Sequence, residues 1–365
     1  MKILLVITGL GVGGAERLVT SLADRFVAMG HQVFLVRLQG EVALSPVDPK
    51  VKMATLNMRR HPLSLILGLL RLRRIVKDYK PDVVNSHLVH ANILVRLLRM
   101  ITPIPRIVST AHNVNEGGFG RMFAYRLTDA LADVSTNVSA EAVQAFEEQG
   151  AVPRGKMRVI HNGIDAAAFR FDPCARKDIR KQMEITDRDF LLLAVGSLSP
   201  QKDYPNLLKA LAFLSDKDIK PILCIAGDGP LRKSLCSMAL SLGVQNQVRF
   251  LGVRYDIPDL MSACDCFVLS SAWEGFGLVV AEAMACERPV VATDCGGVKE
   301  VVGTAAFLVQ PRDAFGLSES IKHVIQLPEQ HKRYLGIAAR NHIVQRYSFD
   351  VTAHRYIDVY QEKLS

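Results

Sequence analysis

Short apolar runs alternate along the chain with longer segments that carry apolar side chains at helical spacing. The first run, residues 2–7, is typical of a buried strand, and residues 17–29 place Leu18 and Leu22 on one face of a helix. A second apolar run follows at residues 31–38. Because strands of a parallel sheet are buried on both faces, this strand–helix–strand order predicts a βαβ unit.

The same alternation resumes in the second half, beginning with an apolar run at residues 190–195. Each half opens with a strand that leads into a glycine turn, and 365 residues are enough for two domains. We predict an α/β protein with two Rossmann-like domains facing a cleft. The predicted segments are the domains 1–170 and 171–345 and a last helix within 346–365.

Two further expectations concern the second half. The charged stretch at residues 169–190 predicts an irregular region that includes the linker between the domains. The spacing of apolar residues at 316–345 is typical of helical structure.

The most informative stretch lies at residues 266–286. An apolar run leads into a turn with Gly275 and Gly277, and the Ala-rich segment from Leu278 onward predicts a helix. The first N–H groups of a helix lack intrahelical acceptors, and the helix dipole adds positive character there. The turn therefore predicts a site for an anion such as a phosphate.

Two carboxylates flank this helix start. Glu274 precedes it, and Glu282 lies about one turn inside the otherwise apolar helix. A carboxylate buried alone is costly, so Glu282 requires a partner. A ribose diol would satisfy it with two O–H donors. Water at an exposed edge or a core Lys or Arg would also do so, and the sequence leaves these alternatives open.

A glycine loop also follows the first strand, at residues 8–16. Its G-x-G-x-x-G spacing, from Gly9 to Gly14, formally fits the dinucleotide fingerprint. That fingerprint expects an acidic residue at the end of the second strand, where this chain has Arg37. An NADP-dependent enzyme would tolerate the arginine, so this alternative stays open. In either case Gly13 and Gly14 let backbone N–H groups approach an anion.

Positive charge is concentrated in the first half. Residues 1–165 carry 21 Lys and Arg against 13 Asp and Glu and account for +8 of the net charge of +9. Within this half, residues 59–77 combine an apolar helical pattern with interleaved Arg and Lys. Such a helix could lie on an anionic membrane surface, or cover the core with a solvated basic face. The half lacks the interleaved aromatic residues of a nucleic-acid platform, so we expect no nucleic-acid partner.

No apolar run approaches the roughly 18 residues that a membrane-spanning helix needs. The first residues are too short and strand-like for a signal peptide. Seven cysteines without disulfide or zinc spacing predict reduced core cysteines. We therefore expect a cytoplasmic protein without a bound metal. If residues 59–77 bind lipid, it would sit peripherally on the cytoplasmic face of the inner membrane.

The stretch from Glu274-Gly-Phe-Gly-Leu through Glu282 resembles the E-x7-E signature of the family 4 retaining glycosyltransferases, which have the GT-B fold. Pro289-Val-Val-Ala-Thr and Gly296-Gly297 extend the match, and the resemblance covers essentially the whole chain. Further segments that resemble the family lie at Gly13 to Glu16, Asn162 to Asp165 and Gly196 to Lys202. Ser197 departs from the arginine that is frequent there, which removes one cation from the implied diphosphate site.

The resemblance implies sugar transfer with retention from a nucleotide-diphosphate donor, without a metal cofactor. It assigns Glu274 to the donor sugar hydroxyls, Glu282 to the ribose diol and His112 to the transferred sugar. A lone histidine at a strand end is otherwise more often structural. The remaining donor contacts implied are Gly13, Gly14, Gly196, Ser197, Lys202, Val253, Arg254, Gly275, Phe276, Gly277 and Leu278.

By the same resemblance, the first domain holds the acceptor, the second holds the donor, and the C-terminal helix crosses back to the first domain. We expect a glycan or lipid-linked acceptor in polysaccharide or lipopolysaccharide assembly, UDP as the favoured nucleotide, and a monomer or weak dimer. Three alternatives remain: a nucleotide-sugar 2-epimerase on a similar two-domain scaffold, an NADP-dependent oxidoreductase, and a non-catalytic membrane-bound scaffold.

Overall fold

A computed structural model describes residues 1–11, 13–59, 61–114, 116–215 and 219–362. The chain divides into two compact units, Met1–Gly163 with Phe349–Ser365, and Ile164–Ser348. Each unit is built on its own parallel β-sheet. The predicted α/β class with two Rossmann-like domains is confirmed.

The first unit contains a seven-stranded sheet in the order β3-β2-β1-β4-β5-β6-β7, with every neighbouring pair parallel. Its elements are β1 (Lys2–Ile7), α1 (Gly14–Ala28), β2 (Gln32–Arg37), β3 (Lys52–Thr55), α2 (Pro62–Tyr79), β4 (Val83–His87), α3 (Val89–Leu98), β5 (Ile107–Thr110), α4 (Phe119–Thr128), β6 (Val134–Asn137), α5 (Ala140–Glu148) and β7 (Met157–Val159).

The second unit contains a six-stranded parallel sheet in the order β10-β9-β8-β11-β12-β13. Its elements are α6 (Pro173–Gln182), β8 (Leu191–Val195), α7 (Tyr204–Ser215), β9 (Ile222–Ala226), α8 (Arg232–Ser241), β10 (Val248–Gly252), α9 (Ile257–Ala263), β11 (Cys266–Leu269), α10 (Leu278–Ala285), β12 (Val290–Thr293), α11 (Val298–Val302), β13 (Phe307–Val309), α12 (Ala314–Gln326) and α13 (Glu329–Tyr347).

Strand β1 shows why its run is apolar at every position from Ile3 onward. Side chains alternate between the two faces of a strand. Leu5 and Ile7 pack into a core with α1, whereas Leu4 and Val6 pack into a separate core with α2 and α3. Both faces of the first sheet are therefore covered, as a parallel sheet requires.

The stretch predicted to be irregular, residues 169–190, contains helix α6. Asp172 caps this helix because its Oδ1 accepts hydrogen bonds from the N–H groups of Cys174 at 2.8 Å and Ala175 at 3.2 Å. Pro173 occupies the first turn, where its missing N–H costs nothing. The expectation was wrong because the charged composition masked a capping signal.

The helical pattern predicted at residues 316–345 is confirmed, but it belongs to two helices. The structure ends α12 at Gln326 and begins α13 at Glu329. Leu327 adopts an extended conformation with ψ 141° before Pro328. A proline ring clashes with a helical conformation in the residue before it, so the chain breaks at this point.

The last helix, α14 (Phe349–Gln361), belongs to the first unit, as the crossing helix was expected to do. Phe349, Tyr356 and Tyr360 enter the core formed by β1 and α1. Gly163 makes this possible because a Cβ at that position would lie 2.3 Å from Cδ1 of Phe349. The glycine of the Asn162–Asp165 segment therefore has a packing role.

The strand order reverses direction at one point in each sheet. In the first unit this point lies between β1 and β4, and in the second it lies between β8 and β11. Ligands of open α/β sheets bind beside the carboxyl ends of the strands at such points. The two glycine turns singled out by the sequence directly follow β1 and β8.

The buried hydrogen bond from the Tyr360 hydroxyl to Asn85 Oδ1, at 2.7 Å, ties α14 to the sheet. We expect Tyr360→Phe to lower the free energy of unfolding of the first unit by about 1–3 kcal/mol, because it leaves a buried amide oxygen without its donor. Urea unfolding followed by tyrosine fluorescence and far-UV circular dichroism measures this. Tyr334→Phe, at an exposed tyrosine of α13, is the matched control. Equal losses in both variants would contradict the prediction.

Candidate functional site

Two loops of the second unit meet at its switch point. Residues 196–203 follow β8, and residues 270–277 follow β11. The N–H of Ala272 donates to the carbonyl of Gln201, and the Ser270 hydroxyl donates to the carbonyl of Lys202, both at 2.8 Å. The first loop is thus fixed against the second by its backbone carbonyls.

Across these loops, Lys202 and Glu274 form an ion pair. Lys202 Nζ lies 2.5 Å from Glu274 Oε1. The Ser271 hydroxyl donates to the same oxygen at 2.7 Å, and Gln201 Nε2 lies 3.4 Å from Oε2. Glu274 is only 7% exposed. A buried carboxylate needs this set of donors, and the pair places one cation and one oriented carboxylate side by side.

Two glycines of the matched segments allow this close packing. Gly296 has φ +57°, and a Cβ there would lie 1.8 Å from the carbonyl oxygen of Glu274. At Gly196 a Cβ would lie 2.7 Å from Cε of Lys202. Both glycines therefore hold the ion pair in place by letting backbone and side chain approach closely.

The turn before α10 offers backbone to a ligand. Gly277 is the N-cap of α10 with φ +83°, and it provides no side-chain cap for the first N–H groups. The Phe276 ring is buried and packs 5.6 Å from the ring of Tyr347. The half-buried Gly275 and Leu278 flank it. The structure thus brings residues 275–278 to a helix start that can bind an anion.

Glu282 lies on α10 and is buried. The alternative that it faces water at an exposed edge is therefore wrong. Two alternatives remain for the group that contacts its carboxylate: another side chain of the protein or, when a ligand is bound, a ligand hydroxyl.

The remaining predicted residues of this unit lie further along the same sheet edge. Val253 is exposed directly after β10. Arg254 Nε donates to Asp256 Oδ1 at 2.8 Å, and this hydrogen bond raises the pKa of Arg254 and lowers that of Asp256. Ser197 is exposed, with its hydroxyl 3.0 Å from that of Ser199. Arg254 is thus engaged by a carboxylate and does not replace the cation missing at Ser197.

In the first unit, Gly13 is the N-cap of α1 and Gly14 its first residue. A Cβ at Gly13 would lie 2.4 Å from Glu16 Oε2, so the carboxylate of the first turn folds over this helix start. Arg37 donates to Thr55 Oγ1 at 2.8 Å and to the carbonyl of Gly40. The position expected to read a dinucleotide ribose is therefore held by its own sheet, which disfavours the NADP alternative. Val12 of this loop lies outside the described residues.

His112 follows β5 and is almost fully buried. Its Nε2 lies 3.1 Å from Nδ1 of His87, the last residue of β4. Burial lowers the pKa of His112 to about 4 and lowers that of His87 well below its usual value. Both rings are therefore neutral at pH 7. The backbone N–H of His112 donates to Glu116 Oε1 at 3.2 Å.

Sequence reasoning missed three participants. Gln201 and Ser271 bind Glu274 and lie within stretches that the sequence singled out, but neither side chain was predicted to take part. The sequence did not single out His87. Its contact with His112 depends on the register of β4 against β5, which one sequence does not specify.

Solved GT-B glycosyltransferase structures share this architecture. HepE from Anabaena, in complex with UDP, superimposes with a TM-score of 0.85 at 24% identity and covers 98% of this chain and 99% of its own. A glycosyltransferase from Rickettsia africae gives a TM-score of 0.86 at 19% identity, covering 99% of this chain and 98% of its own. These likenesses establish the fold.

Family models then place the chain. Residues 12–168 match Glycosyltransferase Family 4, and residues 175–342 match Glycosyl transferases group 1. The chain therefore belongs to the family 4 glycosyltransferases and is a transferase. It is 24% identical over 373 residues to N-acetyl-alpha-D-glucosaminyl L-malate synthase from Bacillus anthracis, covering 97% of this chain and 95% of that relative.

Among the described helices, none is both long and apolar enough to cross a membrane. Within the described residues, no group of three His, Cys, Asp or Glu side chains is placed to hold a metal ion.

The burial of His112 predicts a pH effect on stability. Its pKa is about 4 when folded against 6.5 when unfolded. Below pH 6.5 the unfolded chain binds the proton first, so stability falls until the pH reaches about 4. The loss attributable to His112 is roughly 3 kcal/mol. We expect His112→Gln to lack this part of the pH dependence between pH 6.5 and 4 in urea unfolding. An unchanged pH slope in the variant would contradict it.

Proposed function

We propose that this glycosyltransferase moves a sugar, with retention at the anomeric carbon, from a nucleotide-diphosphate sugar to a glycan or lipid-linked acceptor. The observation that carries the proposal is the buried Lys202–Glu274 pair beside the uncapped start of α10. The cation suits one phosphate of a diphosphate, and the N–H groups at the helix start suit the other. The carboxylate suits a sugar hydroxyl.

The second unit would bind the donor. As the sugar leaves, negative charge grows on the diphosphate, and a preorganised cation and N–H groups stabilise that charge. Lys202 and the backbone of residues 275–278 are proposed for this task, with the backbone at Gly196 and Ser197. Donor binding would place a phosphate near Lys202 Nζ. The reaction is proposed to proceed without a metal cofactor.

Glu274 is proposed to orient the donor sugar. Its Oε2 has a long contact of 3.4 Å with Gln201, which a sugar hydroxyl could replace with a shorter bond. Glu282 is proposed to accept hydrogen bonds from the ribose diol, and Val253 and Arg254 to flank the base. The first unit, through Gly13, Gly14 and His112, would contribute the acceptor side and contacts to the transferred sugar.

The proposed step is a front-face substitution. The bond from the anomeric carbon to the diphosphate oxygen breaks, and the acceptor oxygen forms its bond on the same face. The acceptor proton passes to the departing phosphate oxygen. A retaining enzyme that used a nucleophile would need a second carboxyl about 5 Å from the first across the scissile bond. A trapped covalent sugar–enzyme adduct would refute the front-face route.

UDP is the favoured nucleotide. Solved structures of HepE contain UDP or UDP-glucose, although their similarity to this chain shows only a common fold. A relative from Escherichia coli, 27% identical over 63% of this chain and 62% of its own length, is named UDP-Gal:alpha-D-GlcNAc-diphosphoundecaprenol alpha-1,3-galactosyltransferase. That name supports a lipid-linked acceptor for this chain in polysaccharide or lipopolysaccharide assembly.

Donor hydrolysis tests the proposal. Purified protein incubated with UDP-, GDP- and ADP-sugars should release nucleotide slowly from one donor, with or without chelator. Lys202→Met removes the cation beside the leaving group, so release should fall about 100-fold or more. Conversion of a donor into its epimer would instead identify an isomerase, and no turnover or binding of any donor would reject the proposal.

The control is Lys233→Met, at an exposed lysine of α8, which should leave nucleotide release unchanged. Lys202→Met leaves Glu274 buried without its cation, so circular dichroism must first show that the variant is folded. Ser197→Arg offers a converse measurement. If the site lacks one cation, the added guanidinium should lower the KM for the donor, because Arg binds phosphate oxygens in a bidentate manner.

A membrane surface is the proposed partner of the first unit. Five apolar side chains in the first half of α2 are between 49% and 65% exposed: Leu63, Leu65, Ile66, Leu67 and Leu70. Arg74 and Lys77 in its second half are exposed as well. Exposed leucines next to solvated cations match a lipid interface with anionic headgroups. Arg60, just before α2, lies outside the described residues.

Vesicle flotation tests this surface. The protein should float with vesicles that contain phosphatidylglycerol, less with pure phosphatidylcholine, and less at high salt. A double variant, Ile66→Glu with Leu67→Glu, should reduce binding at least tenfold, because it places two carboxylates against the headgroups. Leu240→Glu, at an equally exposed leucine of α8, is the matched control. Unchanged flotation of the double variant would reject the surface.

A further inference from the structure

Two histidine rings meet at the carboxyl ends of β4 and β5. His87 pairs in register with Thr110, and His112 follows two residues later. The side chain of His87 is fully buried and His112 is 8% exposed. Their ring centroids are 5.4 Å apart, and Nδ1 of His87 lies 3.1 Å from Nε2 of His112. This is a hydrogen bond between two neutral rings.

The outer nitrogen of each ring is also buried. His87 Nε2 and His112 Nδ1 have no hydrogen-bond partner among the described residues. A buried polar atom without a partner is costly, so each is a place where a water or a ligand hydroxyl would be favoured. No other contact in the site described above uses these two atoms.

The number of protons on the two rings couples the states of their outer nitrogens. A neutral imidazole has one N–H donor and one bare acceptor nitrogen. If His87 Nδ1 donates, His112 Nε2 is bare and His112 Nδ1 carries the proton. If His112 Nε2 donates, His87 Nδ1 is bare and His87 Nε2 carries the proton. Both rings must therefore have the same tautomer, and the outer nitrogens always present one donor and one acceptor.

Neighbouring residues hold His87 more firmly than a surface histidine would be held. The next residue, Leu88, has φ +72°, a conformation that non-glycine residues rarely adopt and that often marks functional sites. Its N–H donates to the carbonyl of Thr110, and the ring of Tyr356 from α14 lies 6.2 Å from that of His87. On the other side, Glu116 engages the backbone of His112, and Arg121 donates to the carbonyl of Glu116.

We propose that His87 is a positioning residue for His112. Its hydrogen bond fixes the His112 ring and sets whether His112 Nδ1 donates to or accepts from the transferred sugar. This inference rests on the proposed function for the role of His112 toward the sugar. The coupling of the two tautomers does not rest on it.

Imidazole nitrogen NMR tests the coupling directly. Protein labelled with ¹⁵N-histidine should show His87 and His112 as neutral rings with the same tautomer at pH 7. Their signals are assigned by their loss in His87→Leu and His112→Leu. Opposite tautomers in the two rings, or a tautomer of His112 that does not change in His87→Leu, would overturn the proposal. If a leucine variant fails to fold, the signals are assigned instead by their loss in His87→Asn and His112→Gln.

Kinetics test the consequence for the reaction. In His87→Leu, kcat for donor hydrolysis should fall about tenfold while the KM for the donor changes less than twofold, because the nucleotide is held by the other unit. His87→Asn keeps a hydrogen-bonding group near the position of Nδ1 and should recover most of the lost rate. A purely structural role predicts similar losses in both variants and would overturn the assignment.

The two proposals can fail separately. If wild-type protein turns over no nucleotide sugar while the rings share one tautomer, the proposed function fails and the coupling stands. If wild-type protein is active and the rings have opposite tautomers, the positioning role fails and the function stands.

Discussion

The ion pair between Lys202 and Glu274 is the constraint on which the second unit depends. Two buried charges are tolerated only when they are paired and when hydrogen bonds satisfy the remaining atoms. Ser271 and Gln201 supply such bonds, and Gly296 brings the backbone of Glu274 into place. The loops after β8 and β11 therefore have little freedom. The ion pair is formed without a ligand, so any ligand that binds there must compete with the contact between the two residues.

In the first unit, polar side chains are also buried, on β4 and directly after β5, but these side chains are uncharged. Asn85 and His87 of β4 and His112 after β5 are buried and neutral. His87 is hydrogen-bonded to His112, and Asn85 accepts a hydrogen bond from Tyr360 of α14. Neutral groups avoid the large desolvation cost of ions, but each still needs a partner. Neutral hydrogen-bonding side chains are suited to sugar hydroxyls, whereas the charged side chains of the second unit are suited to phosphates. The two sheets thus provide different chemistry at equivalent positions of the same topology.

The sequence was sufficient for features that depend on local pattern. Apolar runs and glycine turns predicted both parallel sheets and the helix start after Gly277, whereas the surroundings of Glu282 stayed open. Features that depend on tertiary contact were missed. Gln201 becomes a partner of Glu274 only because two loops from distant strands meet, and His87 meets His112 only because β4 and β5 pair in one register. The cap at Asp172 was visible in the sequence, but the charged composition of residues 169–190 was given more weight there.

The position of α14 makes the first unit discontinuous in sequence. Phe349, Tyr356 and Tyr360 belong to the core of β1 and α1, yet they are synthesised after the whole of the second unit. The second unit is one continuous segment and can complete its core as soon as it has left the ribosome. The first unit cannot, although it begins emerging earlier, because part of its core is the last helix to be made. Until α14 has been synthesised, one face of its sheet is incompletely covered. The second unit is therefore completed before the first, whereas the domain nearer the N-terminus is usually completed first.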